Sequence, residues 1–478
     1  MIDGRWRSLL AEAAGFLDLS PAALTLEGTP GGLPSTLPVA DTAVACVATA
    51  LTAAAGLQRQ LGGGTPRVRI DAAHVAAAVR SEAHLRVNDR GLGSGFAPLS
   101  RFWRAADGWV RTHGNYPWHR EALLRALDAA GDPGAAGPEQ ASPEQAGPEQ
   151  VGPEQVGTAI ARRRAETVET AVMAAGGVAA AVRTASQWRQ HPHGHLAATQ
   201  PLIASAVTGS APPRGHEPGG LPASGLRVLD LTRVIAGPVA TRYLAALGAE
   251  VLRVDPPHRP ELPVHRYDGL PGKRSTILDA RTPGGLARLH DLLGGADVLV
   301  HGYRPRALEA FGLGAGSLAQ QHPGLVTVSL SAWGEPGPWS ARRGFDSIVQ
   351  AACGIAMAES PDGNRPGQLP CQLLDHGTGY LAAAAALEGV RRQSHAGGTH
   401  TFELSLAATA AWLLSQPGPE VTGAAAGTEP PASEFLALLR SDAGPVTVVA
   451  PPGSLDDRPL AWPPRLATYG QDAPAWKA

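Results

Sequence analysis

Asp375-His-Gly-Thr-Gly379 heads an alanine-rich stretch and is the segment of this chain best suited to covalent chemistry. An Asp at the start of a helix is ordinarily a cap that accepts backbone hydrogen bonds. The helix dipole also favours its ionised form, which suits a nucleophile. Gly377 and Gly379 would let a ligand approach the backbone. An earlier stretch repeats the pattern at an offset of 334 residues. Asp41 meets Asp375, Gly63-Gly64 meets Gly397-Gly398, Thr65 meets Thr399, and Arg67-Val-Arg-Ile70 meets Thr401-Phe-Glu-Leu404. Ala43 and Ala45 stand where the second copy has glycine, so Asp41 reads as a cap alone. His376 reads as a first-turn helix residue, within reach of orienting Asp375.

Three further clusters suit a polyanionic ligand. Thr232-Arg-Val-Ile-Ala-Gly-Pro238 leads from a strand into a helix N-terminus, a natural phosphate site. It lacks GxGxxG, so Asp255 at the end of the next strand does not complete a dinucleotide fingerprint. Gly272-Lys273-Arg274-Ser275 places two cations at a strand entrance, and His301-Gly-Tyr-Arg-Pro-Arg306 adds two more with an aromatic. The histidines of RTHGNYPWHR (His113, His119) and HPHGH (His191, His193, His195) are read as polar surface, since no HxxH or clustered Cys/His metal spacing occurs.

These residues need a frame, and the pattern from 225 onward supplies one. Short apolar runs at Leu226–Leu231, Glu250–Val254, Asp297–Val300 and Leu325–Leu330 predict strands. Pro238–Leu247, with Gly248 as C-cap, and Leu286–Leu293 predict helices. Strand–helix alternation predicts a parallel sheet with ligands at the carboxyl ends of its strands. Low-complexity GPEQ units at 137–155 predict a solvated linker, and Pro/Gly-rich breaks fall at 209–224 and 417–432. The expected organisation is a first partial copy over 1–208, a linker over 209–224, the Rossmann-like catalytic region over 225–415, and a linker with a closing segment over 416–478.

Composition narrows the classes further. The 478 residues carry 40 Lys and Arg against 42 Asp and Glu, which argues against nucleic acid or a membrane surface as partner. Cys46, Cys353 and Cys371 cannot build a disulfide framework and read as small buried residues. The opening residues lack a signal core, and Thr42–Gln58 is too short and weakly apolar to span a bilayer. The expectation is a cytoplasmic protein.

Taken in order, several stretches resemble the family III CoA-transferases, the CaiB/BaiF family that includes formyl-CoA transferases and α-methylacyl-CoA racemases. They are Leu226–Pro238, Leu247-Gly-Ala-Glu-Val251, Gly272–Ser275, Ala296–Val300, Gly302-Tyr-Arg-Pro305, Gly344-Phe-Asp346, Asp375-xx-Thr-Gly379 and Gly397-Gly398. The resemblance implies an α/β fold: a Rossmann-like CoA-binding domain with a smaller α+β domain, here partly duplicated. Residues 36–205 resemble the remainder of the fold, with Ala106–Val110 and the Trp188 segment in the small domain. The first copy lacks the opening βαβ units and the second lacks the small domain, so two incomplete halves make one unit. Val446–Trp462 would supply the closing segment.

The resemblance implies Asp375 as the nucleophile that exchanges CoA between an acyl-CoA and a carboxylic acid, with no prosthetic group or metal. It implies CoA contacts from Val234, Ile235, Ala236, Lys273, Arg274, Gly302, Tyr303, Arg304 and Arg343. It also implies a homodimer or an internal pseudo-dimer. Phe345 replaces the histidine that the racemase branch uses, and Gly302 replaces a frequent Asn. Arg90-Gly-Leu-Gly-Ser-Gly95 only partly matches a glycine-rich lid. The other readings are an acyl-CoA racemase, a non-catalytic acyl-CoA-binding subunit and, weakened by the missing glycines, a nucleotide-dependent oxidoreductase.

Overall fold

The computed structural model describes residues 4–20, 23–93, 95–127, 152–217, 219–418 and 432–477. The chain divides into two compact units. The larger comprises Met1–Leu92, Thr199–Glu335 and Pro370–Ala478; the smaller comprises Gly93–Ala198 and Pro336–Leu369. Each unit draws on both copies of the repeat.

In the larger unit, the first copy contributes α1 (Arg5–Gly15), β1 (Leu24–Glu27), α2 (Val39–Gln60), β2 (Val68–Asp71) and α3 (Ala72–Ala78). After β3 (Ala204–Gly209), the second copy begins with β4 (Arg227–Leu231), α4 (Ala236–Ala246), β5 (Glu250–Asp255) and α5 (Pro263–Gly269). It continues through β6 (Arg274–Ile277), α6 (Pro283–Gly294), β7 (Val298–His301), α7 (Ala315–Gln321) and β8 (Val326–Ser331). It ends with α8 (Leu373–Ala396), β9 (Thr399–Ser405) and α9 (Leu406–Ser415).

The main sheet runs β6-β5-β4-β7-β8-β9-β3. Its six second-copy strands are parallel, and β3 adds to β9 antiparallel. Read from β4, this is the 3-2-1-4-5-6 order of a Rossmann sheet, with its switch point between β4 and β7. Strands buried on both faces explain their nearly continuous apolar runs. Leu229, Leu231, Leu252 and Leu299 meet Leu289, Leu292 and Leu293 of α6 in one core.

The repeat is visible in three dimensions. Helices α2 and α8 pack along each other. Both are preceded by a residue of nearly the same backbone geometry, Pro38 (φ −78°, ψ 57°) and Gln372 (φ −79°, ψ 61°). Asp71 and Ser405, again 334 apart, cap α3 and α9 with their side chains. Among the described residues, only β1 and β2 represent the parallel sheet in the first copy. The closing segment adds to that sheet, where Ser454–Leu455 pairs antiparallel with β2, and it also builds a separate four-stranded sheet, where Val446–Thr447 pairs antiparallel with Arg86–Val87.

Helix α2 spans 22 residues, longer than the uncharged run read from the sequence, and is long and apolar enough to cross a bilayer by those measures. It is a core helix instead, since 83% of its apolar window is buried inside the fold.

The smaller unit is a three-stranded antiparallel sheet (Phe102–Arg104, Trp109–Thr112, Ala179–Ala181) with helices, including Pro117–Ala126 and Ala165–Ala174. Leu123, Val168, Val172 and Trp103 fill its core. The expected small α+β domain is therefore present, with 336–369 of the second copy added. The GPEQ stretch lies largely outside the described residues, but its last unit opens the helix Pro153–Ala161. The break over 417–432 also lies mostly outside them.

Candidate active site

The turn between β4 and α4 lies at the switch point, and two buried carboxylates hold it. Asp230 accepts hydrogen bonds from the Thr232 N–H (2.9 Å) and from the Thr232 and Thr241 hydroxyls (2.5 and 2.6 Å). Lys273 Nζ donates to the same carboxylate at 2.9 Å and to the Pro238 carbonyl at 3.1 Å. Burial works against the Asp230 charge, but Lys273 and Arg253 outweigh it and hold the carboxyl below its usual range. Glu261, also fully buried, accepts the Val234 N–H at 2.9 Å. Gly237 closes the turn, because a Cβ there would lie 2.3 Å from Thr232 Cβ. Helix α4 starts at Ala236, two residues before the expected Pro238, and no side chain caps it. Its first N–H groups therefore lack the hydrogen bond that a cap side chain would supply.

Asp375 enters the same region on α8. The helix runs antiparallel to the strands, so its N-terminus lies at the carboxyl end of the sheet. Asp375 is third in the helix rather than its cap, and Asp41 holds the same place in α2. The two glycines have a different use from the one expected. A Cβ on Gly379 would lie 2.5 Å from the Ala236 carbonyl oxygen and 2.9 Å from Val239 Cβ. A Cβ on Gly377 would lie 3.3 Å from Cys46 Sγ of α2. The glycines let helices approach, not a ligand. This contact brings α8 against the first turn of α4, one helical turn beyond Asp375.

His376 is buried and its Nε2 lies 3.0 Å from Glu82 Oε2. Burial opposes the Glu82 charge, yet the neighbouring imidazole holds that carboxyl below its usual range. Ser81 beside it donates to Asp268, which also pairs with Arg242 at 3.0 Å. A network from α4, α5, α8 and the segment after α3 thus backs the site. Glu82 was not foreseen; only its position in the first copy, after β2 and α3, could have flagged it. Asp41 is covered by α1. The Trp6 N–H donates to it, and burial raises its carboxyl pKa against the pull of Arg5.

The remaining predicted residues separate. Gly302, Tyr303 and Arg304 follow β7 at the carboxyl end, on the other side of the switch point from Val234, Ile235 and Ala236. Gly302 is exposed with open space where a side chain would stand. Tyr303 packs on the core beside α6. Tyr303 and Arg304 line a cavity of about 410 Å³ under β7, β8 and β9. Arg343 lies in the smaller unit.

Lys273 and Arg274 do not form the expected phosphate clamp. The Lys273 side chain is fully buried against Asp230, and burial pulls its ammonium down to about 8. The Arg274 guanidinium reaches Glu250 (3.2 Å), at the amino end of β5, and Asp472 (3.5 Å). Buried Asp230 holds Lys273, and the partly exposed Glu250 and Asp472 hold Arg274. The loop histidines also differ from expectation: His113, His119 and His193 are buried, and His113 stacks on Phe345 with ring centroids 3.7 Å apart. The three cysteines are buried and free, as expected. Among the described residues no group of three or more His, Cys, Asp or Glu side chains could hold a metal. In the partial glycine match, Arg90–Gly91 pairs with Arg86–Val87 as a short hairpin, and Ser94 lies outside the described residues.

Parts of the chain are similar to known proteins. The chain is 31% identical over 198 residues to a probable fatty acyl-CoA transferase, Rv3272, of Mycobacterium tuberculosis, covering 39% of this chain and 50% of the relative. It is 31% identical over 186 residues to the succinyl-CoA:glutarate CoA-transferase of Homo sapiens, covering 35% and 41%. A crystal structure of a CAIB/BAIF family protein from Brucella suis covers 41% of this chain and 56% of its own, at 25% identity and a TM-score of 0.38. The chain thus spans about half the length of the curated relatives it matches. The model of CoA-transferase family III matches twice, over residues 14–205 and 223–437. The double match follows the structural repeat, and the chain belongs to CoA-transferase family III.

Proposed function

We propose that the protein transfers CoA from an acyl-CoA thioester to a carboxylic acid, with Asp375 as nucleophile. The observation that carries this reading is the placement of Asp375. It lies in the first turn of α8 at the carboxyl end of a Rossmann-ordered sheet, and its helix packs onto the first turn of α4, which follows the crevice turn. A carboxylate needs no proton removed before it attacks, and the helix N-terminus favours its charge.

In the proposed sequence a carboxylate oxygen of Asp375 attacks the thioester carbonyl. The C–S bond breaks, CoA leaves as thiolate, and a mixed anhydride remains. The thiolate attacks the aspartyl carbonyl of that anhydride, releasing the donor acid as carboxylate and leaving an aspartyl-CoA thioester. The acceptor carboxylate attacks this thioester, expelling CoA thiolate and forming a second anhydride. Thiolate attack on the acceptor's carbonyl then gives the new acyl-CoA and regenerates Asp375. Every step conserves charge without an outside oxidant, metal or proton donor. Val234, Ile235, Ala236, Gly302, Tyr303 and Arg304 are the proposed CoA contacts.

The test is intact-mass spectrometry of wild-type protein and Asp375→Ala incubated with a panel of acyl-CoAs, followed by hydroxylamine. A hydroxamate mapped to Asp375 and missing in the variant is the expected result. CoA binding without any label, from any donor, would sink the nucleophile assignment.

A further inference from the structure

Val234 adopts φ +70°, in the left-handed region, in the middle of the crevice turn. A β-branched residue almost never sits there unaided. Such a conformation persists only where the surroundings over-determine it, and it concentrates at functional sites. We propose that Glu261 is a positioning residue that clamps Val234 in this conformation and so aims the turn's backbone at the ligand. This rests on the reading of the turn as a CoA contact.

The clamp is built from buried charge. Glu261 Oε2 accepts the Val234 N–H at 2.9 Å and Arg253 Nη2 at 3.2 Å. Oε1 accepts the Leu262 N–H at 2.9 Å and Arg233 Nη2 at 3.4 Å. Donors on both oxygens prevent the carboxylate from rotating away. Arg253 is itself fully buried and locked onto Asp255 at 2.7 and 3.0 Å. Burial pulls its guanidinium down, but Asp255 and Glu261 more than compensate, so it stays charged. On the other side, Asp230 fixes Thr232 through backbone and hydroxyl. Only Arg233 separates the two anchored residues. If Val234 relaxed to negative φ, the peptide linking it to Ile235 would rotate. The uncapped start of α4 would then shift with it.

The test uses the full chain and CoA itself as probe, by isothermal titration calorimetry. Glu261→Gln keeps the shape but loses the charge facing Val234 and Arg253. Glu261→Asp keeps the charge opposite Arg253 but falls short of the Val234 N–H, and serves where the Gln variant does not fold. Either change should raise the Kd for CoA about tenfold. In a Val234→Gly background, where positive φ carries no steric penalty, the same change should raise Kd less than about threefold. Equal losses in both backgrounds, or no loss, would overturn the clamp. A wild-type protein that binds no CoA would defeat the reading of the site instead. The urea midpoints of the same four proteins still decide the clamp in that case. Non-additive shifts between positions 234 and 261 support it, and additive shifts overturn it.

Discussion

Lys273 and Asp230 form an ion pair with both side chains wholly out of solvent. Removing one partner of such a pair strands the other charge and typically costs about 3–5 kcal/mol. Lys273→Met should therefore lower unfolding free energy by about 3 kcal/mol in urea denaturation, and adding Asp230→Asn should recover part of the loss. His301 makes a second prediction at this scale. Burial holds its imidazole down to about 4, against an ordinary 6.5. Between those values the unfolded chain takes up a proton that the folded chain refuses. Stability from this group therefore falls as pH drops through 6.5, and the loss is complete near 4. His301→Asn should flatten the acid limb of a Tm-against-pH curve, by up to about 3 kcal/mol near its foot. Residue type was legible in the sequence for both; the partner, and hence the role, was not.

Helix α8 shows what an element adds. The sequence pattern foretold a helix at Asp375, but cap and third position look alike in a linear reading. The observed start at Leu373 follows from the bend at Gln372, which no residue type announces. The glycines give two contrasting expectations. Gly379→Ala drives a Cβ to 2.5 Å from a backbone carbonyl that cannot swing away. It should cost at least about 2 kcal/mol and abolish Asp375 labelling, because α8 must leave α4. Gly377→Ala meets Cys46 Sγ at 3.3 Å and Thr409 Cγ2 at an ordinary 3.9 Å, and gains helix propensity. The two opposing effects should leave stability within about 1 kcal/mol of wild type in urea denaturation.

At the scale of the whole chain, the larger unit combines a six-stranded parallel Rossmann sheet with the remnant of a second copy. Helix α2 of the first copy is sheathed by α8 of the second, and the closing strands return to β2. A chain beginning at residue 219 would leave the α2-facing surface of α8 uncovered. It should bind a hydrophobic dye or precipitate, and co-expression with 1–218 should restore a dye-silent complex. If the truncated chain is dye-silent alone, the first copy is not part of the fold's core. Size-exclusion with light scattering reads whether the chain pairs with a second copy.

Periodicity and spacing determined a good deal on their own: the strand–helix alternation from 225, the 334-residue repeat, the nucleophile candidate and the turn that faces it. Each is a local pattern, or a comparison of two local patterns, and such patterns survive in one dimension. The tertiary structure decided which charges meet. In one dimension Lys273 reads as a cation for phosphate, because its side chain says nothing of a carboxylate 43 residues away. Glu261, Glu82 and the left-handed Val234 were silent for the same reason. Burial and pairing across the fold set what a charged group or a strained residue does, and those are properties of neighbours that the chain brings together only on folding.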